Sequence, residues 1–321
     1  MKVLVTGATG FIGSHLVEEL LRRDYEVTCL VRKTSNLQWL DGLDITLLYG
    51  DCEDRESLFS AVKGQELILH LAGLTKAKKA RDFFRINTLG TENLVSVVAQ
   101  AEPNIRKFVF LSSLAAVGPS RNGKPVNEDT LPQPVSEYGR SKLQAEEAVL
   151  KFKNHLPVTI IRPPAVYGPR DKDLYVFYRM LKKGIFPYWG MCYYSLIYVD
   201  DLVKAITEIG VSTDTYGETY FVSDGNIYSN VDIANAISQA VGSRPIRLRI
   251  PNRFLPIIAS IGGILSRKTG IINIDKIKEI CYPRWVCDSS KANMKFGFLP
   301  KTKIKEGITW TANWYKIHRW L

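Results

Sequence analysis

A tyrosine and a lysine four residues apart, Tyr138 and Lys142, head the chemistry that this sequence can support. On a helix, residues at that spacing share one face on adjacent turns. A free phenol, with a pKa of about 10, exchanges protons poorly at neutral pH. A neighbouring ammonium stabilises the phenolate and draws that value toward the working range. The segment reads Ser136-Glu137-Tyr138-Gly139-Arg140-Ser141-Lys142-Leu143, and two hydroxyls, Ser112 and Ser113, stand upstream directly after the apolar run Phe108-Val109-Phe110-Leu111. A hydroxyl at the end of a buried strand can hold a substrate oxygen beside the phenol. Y-x-x-x-K alone recurs on many ordinary helices, so its meaning depends on a second signal.

That signal lies at residues 3–16, where the apolar run Val3-Leu4-Val5 leads into Gly7, Gly10 and Gly13 and then an amphipathic segment reaching Arg22. Glycine permits the positive φ of a sharp strand-to-helix turn and lets a diphosphate approach the main chain. The helix start then offers N–H groups and the positive end of its dipole. The backbone from Gly7 through Thr9, Gly10, Phe11, Ile12 and Gly13 is the expected cradle of a dinucleotide. The spacing is G-x-x-G-x-x-G rather than G-x-G-x-x-G, and a tight turn without ligand is the plainer alternative.

These residues need a frame. Strand-like runs at 2–6, 26–31, 45–49, 67–71, 107–112 and 157–162 alternate with helical patterns at 11–22, 54–63, 82–101 and 136–153. The expected fold class is therefore α/β, a Rossmann-type doubly wound parallel sheet with a smaller, mostly helical C-terminal substrate lobe. The expected division is a nucleotide-binding domain over 1–167, with 197–224 returning to it, and a substrate lobe from 168–196 and 225–321. Ligands in such folds sit at the carboxyl ends of the strands. After the second run stand Arg32 and Lys33, where an NAD-preferring protein usually places a carboxylate for the ribose; two cations there favour the 2′-phosphate of NADP over NAD. After the third run, Asp51 and Cys52 are expected near the adenine; after the fourth, Leu71, Ala72 and Gly73 let backbone pass close to the ribose and diphosphate. His70 reads as a satisfied core histidine, and Asn87 as a structural link between its helix and a neighbouring strand.

Composition narrows the class. The chain has 321 residues, 45% of them apolar, and 43 basic against 32 acidic side chains give a net charge of +11. The charges are dispersed, and the densest cluster, Lys76 to Arg81, is short, which points to a solvated basic surface rather than a nucleic-acid groove. The longest apolar stretch, 254–265, falls well short of the roughly 20 residues that span a bilayer. Met1-Lys2 leads straight into a strand with no signal-peptide core before it. Five cysteines, with no C-x-x-C, read as reduced structural thiols; no metal site is expected, and the expected location is cytoplasmic.

Together these segments resemble the extended short-chain dehydrogenase/reductase family, also called NAD-dependent epimerase/dehydratases. The resemblance takes in Thr6-Gly7 to Gly13, His70-Leu71-Ala72-Gly73, Asn87 with Gly90-Thr91, Ser112-Ser113, Tyr138 to Lys142, Arg162 to Pro169, Val199-Asp200-Asp201 and Asp288 to Ala292. It implies that Tyr138 is the general acid/base, that Lys142 holds the nicotinamide ribose and lowers the phenol's pKa, and that Ser113 bonds the reacting oxygen, with Ser112 and the backbone at Pro164 and Val166 near the cofactor. It also implies a homodimer. The sequence departs from the family's nucleotide-sugar enzymes at Leu114, where they carry Ser or Thr, at Ala165, where they carry Asn, and at Tyr194, where an Arg clamps the diphosphate. In place of those anchors the second lobe offers Phe186, Tyr188, Trp189, Tyr193, Tyr194 and the 254–265 stretch, which suit an apolar small-molecule substrate. The expected activity is interconversion of a ketone and a secondary alcohol by hydride transfer with NADP or NAD. The alternatives are a nucleotide-sugar 4-epimerase or dehydratase with retained NAD, and a non-catalytic nucleotide-binding subunit.

Overall fold

The computed structural model describes residues 1–251 and 274–321. Its first half runs β1 (Lys2–Thr6), α1 (Phe11–Arg22), β2 (Glu26–Val31), β3 (Thr46–Tyr49), α2 (Arg55–Val62), β4 (Leu67–His70), α3 (Ala80–Phe83), a π-helical turn (Phe84–Leu89), α4 (Gly90–Ala101), β5 (Lys107–Leu111), a 3-10 turn (Leu114–Ala116), α5 (Glu137–Leu150) and β6 (Val158–Arg162). Then follow β7 (Ala165–Tyr167), α6 (Lys172–Lys182), β8 (Ile185–Tyr188), β9 (Tyr193–Tyr198), α7 (Val199–Val211), β10 (Glu218–Phe221), β11 (Ile227–Ser229), α8 (Asn230–Val241) and β12 (Ile246–Arg249). Past the undescribed residues come α9 (Ile274–Ile280), β13 (Arg284–Trp285), α10 (Ser290–Phe296) and α11 (Ile304–Ile317).

Seven strands form one parallel sheet in the order β10-β6-β5-β4-β1-β2-β3. Strand alternation explains its two cores. Val3, Val5, Leu67 and Leu69 pack on one face against Leu16, Val17 and Leu20 of α1 and Leu202, Val203 and Ile206 of α7. Leu4, Ile68, Phe108 and Phe110 pack on the other, against Leu58, Leu94, Val98 and Val149 from α2, α4 and α5. Residues β4 and β5 bury throughout have no solvent-facing side, as expected of central parallel strands. Each buried Val, Leu or Phe contributes about 1.5–3 kcal/mol, so this sheet is the rigid part of the molecule. Winding reverses between β1 and β4, which opens a crevice over their carboxyl ends.

The second lobe contains more strand than its sequence pattern suggests. β9 joins β7, β11 and β13 in a separate four-stranded sheet, while β10 alone of this region extends the large sheet. The aromatic segment 186–189 lies largely in β8, which pairs in parallel with β12. Proline inside a strand argues against a central position, but among the described residues β8 pairs with β12 alone, so the missing N–H of Pro187 is tolerated. The helix expected at 82–101 is broken by the π-helical turn. The apolar stretch 254–265 lies outside the described residues. Among those described, no helix is long and apolar enough to cross a membrane.

Candidate active site

The crevice begins at the glycine turn. Gly7 has φ +75, and a Cβ there would stand 2.7 Å from the Ala72 nitrogen and 2.8 Å from the Leu71 oxygen. A Cβ on Gly13 would stand 2.1 Å from the Gly7 oxygen. Both positions are therefore closed to any side chain, and the turn presses against the backbone that follows β4. Gly10 is exposed and starts α1 without a side-chain cap or an acidic residue in the first turn. Thr9, Phe11 and Ile12 complete this uncapped turn, and all three are part-exposed. Uncapped N–H groups beside bare backbone fit the diphosphate of a dinucleotide.

Around the turn, Arg32 and Lys33 are exposed at the end of β2, where the Ser35 hydroxyl accepts from the Arg32 N–H at 3.2 Å. Asp51 uses a carboxylate oxygen to accept from the Glu53 N–H at 3.1 Å. The Cys52 thiol is buried, and desolvation pushes its pKa up to about 12, so it packs rather than reacts. Leu71 and Ala72 donate backbone N–H groups to Thr6, to its carbonyl at 3.1 Å and its hydroxyl at 3.2 Å. His70 is fully buried between the Thr6 hydroxyl at 2.6 Å and the Thr91 hydroxyl at 2.8 Å. Desolvation first, and the charge of Lys142 second, hold it down to about 3, so it is a neutral structural link. Asn87, on the π-helical turn, bonds both backbone groups of Leu74 and donates to the Ser141 hydroxyl at 2.9 Å, joining the loop after β4 to α5.

On α5 the face of Tyr138 and Lys142 turns toward this crevice. Ser136 caps the helix by accepting from the Gly139 N–H at 3.0 Å. A Cβ on Gly139 would stand 2.3 Å from the Ala115 oxygen, so glycine lets α5 lie directly on the 3-10 turn that follows the serines. Lys142 is buried; its Nζ donates to the Leu111 carbonyl at 2.6 Å and lies 4.1 Å from the centre of the Phe110 ring. A Cβ on Gly73 would stand 4.0 Å from that Nζ, which sets the lysine beside the loop after β4. Burial pulls Lys142 down to about 7, opposed by the negative charge of Glu146.

The two serines part company. The Ser112 hydroxyl donates to Glu146, inside a buried pair in which Arg162 also donates to Glu146 at 2.9 and 2.6 Å. The Ser113 hydroxyl is part-exposed, accepts from the Ala115 N–H at 3.1 Å, and lies near enough to the Tyr138 phenol to lower its pKa. The phenol itself stands above its ordinary value: desolvation raises it, the Ser113 hydroxyl lowers it, the Glu279 charge raises it and Lys276 lowers it. Lys142, expected to draw the phenol down, is not among these influences, and its Nζ is engaged with the Leu111 carbonyl. Pro164 is buried and Val166 half-buried at the start of the second lobe.

Sequence reasoning missed a clamp on the start of α5. Asp275 of α9 accepts from the Glu137 N–H at 2.7 Å and the Tyr138 N–H at 2.9 Å, while the Ser136 hydroxyl donates to Glu279 at 2.8 Å. Nothing local marks residues 137 to 143 positions away as caps. Glu146 was legible: it lies four residues after Lys142, the spacing that already joined Lys142 to Tyr138. The aromatic residues expected to line a substrate pocket go elsewhere. Phe186 is in the core of the second lobe with Tyr188 and Tyr194 packed against it, Tyr193 lies under Arg284 at 4.5 Å, and Trp189 lines a cavity with Cys192, Ile280, Cys281 and Pro283. Leu114 is buried, and Ala165 is exposed beside the site.

The geometry agrees with comparisons to known proteins. The model of the NAD dependent epimerase/dehydratase family matches residues 3–222. The chain is 28% identical to a ceramide reductase of Caulobacter vibrioides, covering 99% of this chain and 96% of that one. It is 28% identical to sterol demethylase protein B of Methylococcus capsulatus, covering 98% of each. Among solved structures, a UDP-glucose 4-epimerase of Thermus thermophilus in complex with NAD superposes with a TM-score of 0.79 at 25% identity, covering 98% of this chain and 99% of that one.

Proposed function

This chain belongs to the NAD-dependent epimerase/dehydratase family, and within it we propose an NADP-preferring oxidoreductase that interconverts a ketone and a secondary alcohol on an apolar, lipid-like substrate. The observation that carries the reading is the buried Lys142, set beside the loop after β4 and one helical turn from Tyr138 on α5. The cradle of Gly7 and Gly13, which any Cβ would fill, suits a dinucleotide. A bound nicotinamide supplies the hydride donor or acceptor. Tyr138 supplies or removes the proton on the substrate oxygen, Ser113 orients that oxygen by a hydrogen bond, and Lys142 holds positive charge next to both and reaches the cofactor's ribose. Exposed Arg32 and Lys33, with no carboxylate at the end of β2, support NADP over NAD.

The apolar substrate class is supported by Ala165 and Tyr194 in place of polar anchors, and by the relatives named for ceramide and sterol chemistry. A homodimer goes with this reading. The second reading, a nucleotide-sugar 4-epimerase with retained NAD, uses the same Tyr138 and Lys142 and has the Thermus neighbour in its favour. Purified protein separates them. Stoichiometric oxidation of added NADPH by a hydrophobic ketone supports the reductase. Tightly retained NAD with UDP-sugar interconversion and no net NADPH oxidation contradicts it.

A further inference from the structure

From Ile233 to Ile274 the sequence contains no carboxylate, and neither does it from Leu174 to Val199. These two windows meet in the fold, where β12 pairs with β8 and Ile246 lies opposite Ile185. All four residues of β12 are exposed, Ile246 at 79% and Leu248 at 56%. Lys182, Lys183, Arg244 and Arg249, at the ends of these strands and of α6, are exposed too. None of these four cations pairs with a carboxylate among the described residues. Some exposed cations elsewhere do have acidic partners, as Arg85 with Glu53 and Lys291 with Glu218.

We propose that the β8–β12 ribbon is a docking surface for an anionic lipid bilayer, with Ile246 and Leu248 entering the interface and the four cations contacting headgroups. Large aliphatic side chains at high exposure on one strand lose apolar contact with water when seated in the headgroup–acyl boundary. Lysine and arginine around them gain from the negative surface potential, and their aliphatic stems let the charges stay at headgroup level. Two branched aliphatics and four cations without an ion-pair partner among the described residues fit an anionic membrane better than a protein partner. A protein interface of ordinary kind would be depleted of lysine at its centre. The surface does not depend on which ketone is reduced.

The test is sedimentation of the full-length protein with vesicles of phosphatidylcholine, with and without phosphatidylglycerol. The protein is expected to sediment with the anionic vesicles and stay in solution with the zwitterionic ones. Removing one of the cations should weaken partitioning by about fivefold, and Ile246→Ser with Leu248→Ser by at least about tenfold. Both kinds of variant should keep wild-type circular dichroism and turnover of a water-soluble ketone. The proposal is overturned by failure to sediment with anionic vesicles, or by variants that sediment as wild type does. It is equally overturned by a dimer that needs Ile246 and Leu248 in protein lacking vesicle binding, or by tighter binding to duplex DNA than to anionic vesicles.

Discussion

The inner face of α5 and the outer face of the β8–β12 ribbon carry charge in opposite ways. On α5, Glu146 is shared by Ser112 and two nitrogens of Arg162, and Lys142 is tied to the Leu111 carbonyl. On the ribbon, Arg244 and Arg249 stand exposed without a carboxylate among the described residues. Buried charges must be held by partners because desolvation is otherwise prohibitive, and that necessity fixes Lys142 and the serines to the crevice. Solvated charges need no partner and so remain available to an outside surface. The same contrast runs through the aromatics: Phe186 on the ribbon's inner side is sealed in a core, while the Tyr138 ring is part-exposed at the crevice.

Several substitutions press on this contrast. Glu146→Ala should have the largest effect on stability, about 3–5 kcal/mol in chemical denaturation, because it strands the buried Arg162 guanidinium; a loss below about 1 kcal/mol would mean that the pair is not desolvated as described. Phe186→Ala should cost a similar amount, about 3–5 kcal/mol, with KM unchanged in the folded fraction. A raised KM at full stability would instead return this ring to a substrate pocket. His70 gives a smaller effect with a defined sign. Its folded pKa near 3 lies below the ordinary 6.5, so the unfolded chain binds more protons between those values. Stability therefore rises with pH across that window and is lost as pH falls through it, by about 1.4 kcal/mol per unit. Asp171, held up to about 7 chiefly by burial, works in the opposite direction over its own window. The clean readout is accordingly the difference in slope between wild type and His70→Asn. Smallest of all, Lys182→Ala and Arg249→Ala should shift stability by no more than about 0.5 kcal/mol; a larger loss would reveal a partner for them within the protein.

How much of this was legible depends on how local the governing physics is. The glycine turn, the Tyr138–Lys142 spacing and the strand–helix alternation follow rules that act within a few residues, and the sheet is assembled as they imply. The two serines after β5 differ in surroundings that no local pattern foretells, Ser112 bonded to the buried Glu146 and Ser113 capping the 3-10 turn near Tyr138. Long-range pairings left no such trace. Asp275 and Glu279 reach the start of α5 from far along the chain, and β8 finds β12 across a gap of 61 residues in register. The Ile246-Arg247-Leu248-Arg249 run has strand alternation, but four residues are too few to separate an edge strand from a loop. Of the aromatic residues expected at a pocket, Phe186 fills the lobe's core with Tyr188 and Tyr194 packed against it, since large rings contribute more to stability when buried.

The central claim is that the phenol at residue 138 moves the proton in a site that binds nicotinamide nucleotide. Tyr138→Phe keeps the ring and its packing against Phe83, whose centre lies 6.0 Å away, and removes the hydroxyl alone. Titrating this variant with NADPH and then assaying ketone reduction should give wild-type nucleotide affinity and turnover reduced by about 10²–10⁴-fold. Turnover at the wild-type rate would contradict the claim.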